Sequence, residues 1–164
     1  MKKDLLIYQF DTCFDCNGWF VAVRNAVSGV TAEQAAWRPE GSDNTIWESL
    51  THITFYNNAY LQRFKGARYD TDSTDNDETF GQASQPSDEE WEAEVARFIT
   101  VMNELRELLR DADEAKFGES VPDRVDRKWW EVIADINAHN AYHAGQILLL
   151  RKMQGAWNPD RGVS

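Results

Sequence analysis

Residues 127–153 decide the fold, and they read RKWWEVIADINAHNAYHAGQILLLRKM. Apolar residues recur in this segment at the spacing of one buried helix face, as at Val132, Ile136 and Ile147. Gly155 follows, and a glycine commonly ends a helix. The segment therefore predicts a helix of about 26 residues and about 39 Å, long enough to run the length of a helical bundle.

Three more long amphipathic helices are predicted upstream, with limits near 3–27, 45–64 and 87–111. Two of them begin with a capping box, formed by Thr45 with Glu48 and by Ser87 with Glu90, in which each side chain satisfies a backbone N–H group at the helix start. Thr31 caps a short additional turn. No segment has the alternating pattern of a strand.

The architecture that follows is all-α, and we expect one domain over residues 1–164. It is predicted to be a four-helix bundle with a long crossover connection between helices 2 and 3, at residues 67–86. A second connection covers residues 112–126.

The charge distribution limits the partners of this protein. The net charge is −11, and residues 69–96 contain ten acidic residues and no basic one. Nucleic acids and anionic membranes require a basic surface, so neither is an expected partner. The sequence also lacks a long uncharged run for a secretory signal or a spanning helix, and we expect a cytoplasmic protein.

Cys13 and Cys16 form a single C-x-x-C motif inside the first predicted helix. We interpret them as two reduced small hydrophobic residues, since a redox pair normally follows a strand. Half of a zinc site is the alternative, but the sequence has no second C-x-x-C motif to complete it.

The chain contains three histidines, and two of them are four residues apart, at His139 and His143. On a helix these positions lie on one face with Cβ atoms about 6 Å apart, so two imidazoles could bind one ion at about 2.1 Å each. The face also carries apolar residues, and two buried imidazoles without partners would be costly. His52 lies on the second predicted helix, whose buried face should line the same interior. Three histidine ligands would leave coordination positions open to water or substrate, as in catalytic metal sites.

Two segments resemble motifs of the DinB-like (DinB/YfiT-type) family of metal-binding proteins: TIWESLTHI at 45–53 and NAHNAYHAGQI at 137–147. The resemblance covers nearly the whole chain. It implies a four-helix bundle with His52, His139 and His143 as ligands of one divalent metal ion, most often zinc or nickel. It also implies water in the remaining positions and a frequent homodimer.

Some members of that family transfer a low-molecular-weight thiol to an electrophile, which makes a small-molecule thiol substrate the leading expectation. The sequence leaves open a metal-dependent hydrolase, a non-catalytic stress-associated dimeric protein, and a metal-free bundle in which the histidines bond one another. It assigns no catalytic residue. Glu48 and Asp135 lie one turn before His52 and His139 and could orient these imidazoles, or could be solvent-facing charges.

Overall fold

The computed structural model describes residues 2–41, 44–69, 73–81 and 85–162. This part of the chain is mostly helical, which confirms the all-α class. Its α-helices are α1 (Lys2–Phe14), α2 (Val23–Val27), α3 (Ala32–Ala36), α4 (Ile46–Phe64), α5 (Asp88–Asp111) and α6 (Trp129–Met153). Three 3-10 turns cover Asp77–Phe80, Glu114–Gly118 and Pro159–Arg161.

The helix starts follow the predicted caps. The backbone N–H of Glu48 donates to Thr45 Oγ1 at 3.1 Å, and the Thr45 N–H donates to Glu48 Oε2 at 2.7 Å. Ser87 and Glu90 form the same reciprocal pair at the start of α5. Thr31 caps α3 in the same way with Gln34. Local side-chain chemistry therefore sets where these helices begin.

The prediction of one helix over residues 3–27 was wrong, because α1 ends at Phe14. The Asn17 side chain accepts a hydrogen bond from the Ala22 N–H at 3.0 Å, which holds the chain in a loop instead of a helix. Asn25 donates to the same oxygen at 2.8 Å. The apolar pattern continues through this break because the loop residues Val21 and Ala22 are also buried.

A short β-hairpin, which the sequence did not predict, lies just before α6. Strand β1 (Ser120–Val121) pairs antiparallel with β2 (Arg124–Lys128). Asp123 at the turn has φ of 64°, in the left-handed region that aspartate tolerates better than most residues. The strands are too short and too exposed for an alternating pattern to be visible.

The four longest helices share one core. α1 packs against α5 and α6, and α4 also packs against α5 and α6. Aromatic side chains fill much of the interior, and the largest fully buried ones are Phe10, Phe14, Phe98, Phe117 and Trp129. None of the helices in the described ranges combines the length and the apolar composition needed to cross a bilayer.

Candidate metal centre

Three imidazoles meet where α4 faces α6. His52 Nε2 lies 3.0 Å from His139 Nε2, and His143 Nε2 lies 3.1 Å from the same atom. The potential ligand atoms of the three residues all lie within 4.8 Å of one another. His52 and His143 are buried and His139 is partly exposed. The structure thus brings together all three histidines that the sequence singled out.

Hydrogen bonding among the three rings cannot explain both short contacts. A neutral imidazole Nε2 offers either one hydrogen or one lone pair. His139 Nε2 takes part in both contacts, so at most one of them can be a hydrogen bond of good geometry. The other contact then lacks a well-formed hydrogen bond, which is unfavourable for buried nitrogens unless a third species lies between them. A cation among the nitrogens would satisfy all three lone pairs.

The local environment keeps these imidazoles neutral. Burial lowers the pKa of His52 to about 3, with a further contribution from His143 and His139. Burial, followed by the effect of His139, lowers the pKa of His143 to about 4. Burial also lowers the pKa of His139. Because a metal ligand must be unprotonated, all three rings are in the required form at neutral pH.

Two of the three nitrogen separations suit a shared divalent ion. Two nitrogens that each lie about 2.1 Å from a shared ion are separated by about 3.0 to 3.4 Å for the usual coordination angles. The His52–His139 and His139–His143 separations of 3.0 and 3.1 Å lie within that interval, and all three ligand atoms lie within 4.8 Å of one another. The donor set is three imidazoles, which suits zinc, nickel, copper or iron.

The crossover connection at residues 67–86, which we call the acidic connection, contributes two side chains that contact His52. Thr79 Oγ1 lies 2.6 Å from His52 Nδ1, and Phe80 stacks on the imidazole with ring centroids 3.9 Å apart and planes 14° apart. Tyr56 packs edge-on against the same imidazole, with ring centroids 5.0 Å apart. Sequence reasoning missed Thr79 and Phe80 because they lie in a polar connection without periodicity.

A reciprocal amide pair holds α4 and α6 in register beside the histidines. Asn57 Nδ2 donates to Asn140 Oδ1 at 2.8 Å, and Asn140 Nδ2 donates to Asn57 Oδ1 at 3.1 Å. Both side chains are buried. Sliding either helix would break two hydrogen bonds and leave amide groups unsatisfied, which opposes any displacement of His52 from His139.

Glu48 and Asp135, the two carboxylates that could have oriented the histidines, have other partners. Glu48 closes the cap of α4 and forms an ion pair with Arg38 at 2.5 Å. Asp135 is mostly exposed and forms an ion pair with Arg127. Among the described residues, neither carboxylate contacts an imidazole. The interpretation as a solvent-facing charge fits Asp135, but it is wrong for Glu48, which is buried.

The second nitrogen of His143 has a different environment. His143 Nδ1 is buried and has no hydrogen-bond partner of normal geometry, and the same holds for Gln146 Oε1. Gln146 still favours the charged form of His143 and partly offsets the lowering of its pKa. The Gln146 amide nitrogen donates to the Tyr142 hydroxyl at 3.0 Å. Gln146 therefore lies beside the site but does not complete the bonding of His143.

A cleft of about 270 Å³ reaches the histidine cluster at His139. Its walls include the rings of Tyr56 and Tyr60 and the apolar side chain of Ile136, and the paired Arg127 and Asp135 also line it. A larger cleft of about 610 Å³ lies beside Trp91 and contains none of the three histidines. Only the smaller cleft, of these two, could bring a substrate to the cluster.

The two cysteines differ in environment. Cys13 is buried in α1 and its thiol donates to the Asn137 carbonyl at 3.1 Å, whereas Cys16 is exposed. Because α1 ends at Phe14, Cys16 lies beyond the helix, and the prediction that both cysteines lie inside the first helix was wrong. Burial raises the pKa of Cys13 to about 11, so this thiol is protonated and unreactive at neutral pH.

Comparison with known proteins identifies the family of this chain. The family model of the DinB superfamily matches residues 21–147, a span that includes all three histidines. No curated protein and no solved structure shows a significant match to the chain.

Proposed function

This chain belongs to the DinB superfamily, and on that premise we propose that it is a metal-dependent enzyme that transfers a low-molecular-weight thiol to an electrophile. In this proposal, residues 1–164 form one domain, a four-helix bundle made by α1, α4, α5 and α6 with residues 67–86 as the crossover. The observation that carries the proposal is the convergence of three Nε2 atoms with separations of 3.0 and 3.1 Å.

His52, His139 and His143 would hold one divalent ion, with zinc and nickel as the leading candidates. Such an ion supplies Lewis-acid chemistry that makes a thiol or a water nucleophilic near neutral pH. Three protein ligands would leave room for that nucleophile. The Asn57–Asn140 pair keeps the helices that bear the ligands in register, so the ligand geometry is set before anything binds.

The cleft beside His139 is where the chain's own residues would bind and orient the electrophile. Tyr56, Tyr60 and Ile136 offer apolar contact area for its body, and Arg127 and Asp135 offer polar contacts. In the reaction a sulfur–carbon bond forms, the leaving group departs with the electron pair of the broken bond, and the thiol proton passes to solvent. A purely non-catalytic role would favour a metal site that is sealed from substrate. The cleft that reaches His139 argues against such a sealed site.

Metal analysis of protein purified without a histidine tag tests the first half of the proposal. We expect about one divalent ion per chain in the native protein and a large loss in His143→Ala. Leu149→Ala is the matched control, because Leu149 lies on the same helix but is exposed. Full metal retention in His143→Ala would contradict the ligand assignment.

An activity assay tests the second half. Metal-loaded protein is mixed with chlorodinitrobenzene as the electrophile, with and without cysteine as the thiol. We expect conjugation above the uncatalysed rate that depends on both the thiol and the metal. A rate that needs metal but not thiol, measured on an activated ester, would instead support the hydrolase alternative, and no rate in either assay would favour a non-catalytic metal-binding protein.

We also propose that the protein is a cytoplasmic homodimer. Exposed apolar side chains on two helices in mutual contact, α1 and α6, support a partner surface: Leu5, Tyr8, Tyr142, Leu149 and Met153. Light scattering on the purified protein measures the mass directly, and a mass near 19 kDa at micromolar concentration would contradict the dimer.

A further inference from the structure

The second nitrogen of His52 has a partner that lies far away in sequence. Thr79 Oγ1 lies 2.6 Å from His52 Nδ1, and Thr79 is 4% exposed. The same hydroxyl donates to the Asn76 carbonyl at 2.6 Å. Because a hydroxyl has one hydrogen and that hydrogen goes to Asn76, the oxygen can only accept a hydrogen from His52.

We propose that Thr79 is a positioning residue that fixes His52 in the tautomer protonated on Nδ1, so that the lone pair on Nε2 faces His139 and His143. This inference rests on the proposed function in one respect, that the three histidines are metal ligands. It assigns a role to the acidic connection, whose turn at Asp77–Phe80 becomes part of the metal site.

The turn is built to hold the imidazole, since it restrains both the ring plane and the ring rotation. Phe80 stacks nearly parallel to the ring, and Tyr56 contacts it edge-on. The Tyr56 hydroxyl donates to Asn76 Oδ1 at 3.3 Å, which ties α4 to the residue before the turn. Gly81 leaves the turn with φ of 79°, a conformation that residues with side chains rarely adopt.

A structural role for Thr79 in packing the turn is the competing explanation. It would require only that the side chain fill space, and valine would do that equally well. The proposed role requires the oxygen, which serine keeps and valine lacks. The substitutions Thr79→Val and Thr79→Ser therefore distinguish the two explanations. Valine keeps the shape of the side chain and removes the hydrogen bond, whereas serine keeps the hydroxyl.

The first measurement is the tautomer of His52 in the metal-free protein, read by long-range ¹H–¹⁵N NMR of the three histidine rings. We expect hydrogen on Nδ1 of His52 in the native chain and in Thr79→Ser, and a mixture of tautomers in Thr79→Val. Hydrogen on Nε2 of His52 in the native protein would overturn the proposal without any variant, so the test does not depend on whether Thr79→Val folds.

The second measurement is metal affinity, determined for Zn²⁺ by competition with a chromophoric chelator. Loss of a group that orients a ligand histidine costs about 10- to 100-fold in affinity. We expect that loss in Thr79→Val and near-native affinity in Thr79→Ser. Thr51→Val is the control, because the Thr51 hydroxyl donates to the Trp47 carbonyl of its own helix at 3.0 Å and should be replaceable.

The two proposals fail in different ways. Equal affinity of the native protein and Thr79→Val for Zn²⁺ would overturn the positioning role while leaving the ligand assignment intact. A native protein that binds Zn²⁺ but conjugates no thiol would overturn the transferase function, and the expected order of affinities among the Thr79 variants would still support the positioning role.

Discussion

Acidification should destabilise the metal-free protein through its buried histidines. The chain has three histidines in all, and the ordinary pKa of each is 6.5. In the folded chain the pKa of His52 is lowered to about 3 and that of His143 to about 4. Below pH 6.5 the unfolded chain therefore binds more protons than the folded one, and the free energy of unfolding falls as the pH falls.

The size of the effect follows from these values. Consider a histidine that is neutral in the folded chain and protonated in the unfolded one at pH 5.5, one unit below the ordinary pKa. Each such histidine lowers the free energy of unfolding by about 1.4 kcal/mol. His52 and His143 together give a loss of about 3 kcal/mol between pH 7.5 and pH 5.5. His139, whose pKa is also lowered, adds to the loss. Glu94, whose pKa is raised by burial, acts in the opposite direction, because its folded form binds protons more readily than the unfolded one.

Urea unfolding of chelator-treated protein at the two pH values, followed by circular dichroism, measures the difference. The variant His52→Gln/His143→Gln is the control and should lose most of the pH dependence, because two of the three titrating groups are gone. A free energy of unfolding that changes by less than about 0.5 kcal/mol in the native protein would refute the reasoning, since it would mean that these rings are not kept neutral by burial.

Three further outcomes are expected. Asn140→Ala should lower the free energy of unfolding by about 2 kcal/mol in a urea titration, because it leaves the buried Asn57 Oδ1 without its donor, although Asn57 Nδ2 still donates to the Ile53 carbonyl; a change below about 0.5 kcal/mol would contradict the register role. Thr45→Ala should cost about 1 kcal/mol by the loss of the α4 cap, and an unchanged midpoint would argue against that cap. A thiol reagent should label Cys16 in the native protein and Cys13 only after unfolding, as mass spectrometry of the labelled peptides would reveal.

Local chemistry explains which parts of the fold were predictable. The starts of α3, α4 and α5 were placed correctly because each depends on two side chains three residues apart, as with Thr45 and Glu48. The spacing of His139 and His143 fixed their relation in the same way, since positions four apart on one helix lie on one face.

The errors have an equally local cause. Periodicity through residues 3–27 predicted one helix, but burial of the loop residues Val21 and Ala22 maintains the apolar spacing without helical geometry. The Asn17-Gly18 pair is a signal of a turn that was outweighed by this pattern. In the sequence, the hairpin before α6 is marked only by the turn residues Pro122 and Asp123. Its strands are too short to show an alternating pattern as a second signal.

The sequence by itself determined the helix limits set by caps and the identity of three histidines suited to a metal, because both are encoded in residues close together along the chain. Only the tertiary structure decided what those histidines contact. Asn57 and Asn140, which align the helices, are 83 positions apart, and Thr79 reaches His52 across 27 positions. Contacts over such separations depend on how helices and connections pack, and no local spacing records them.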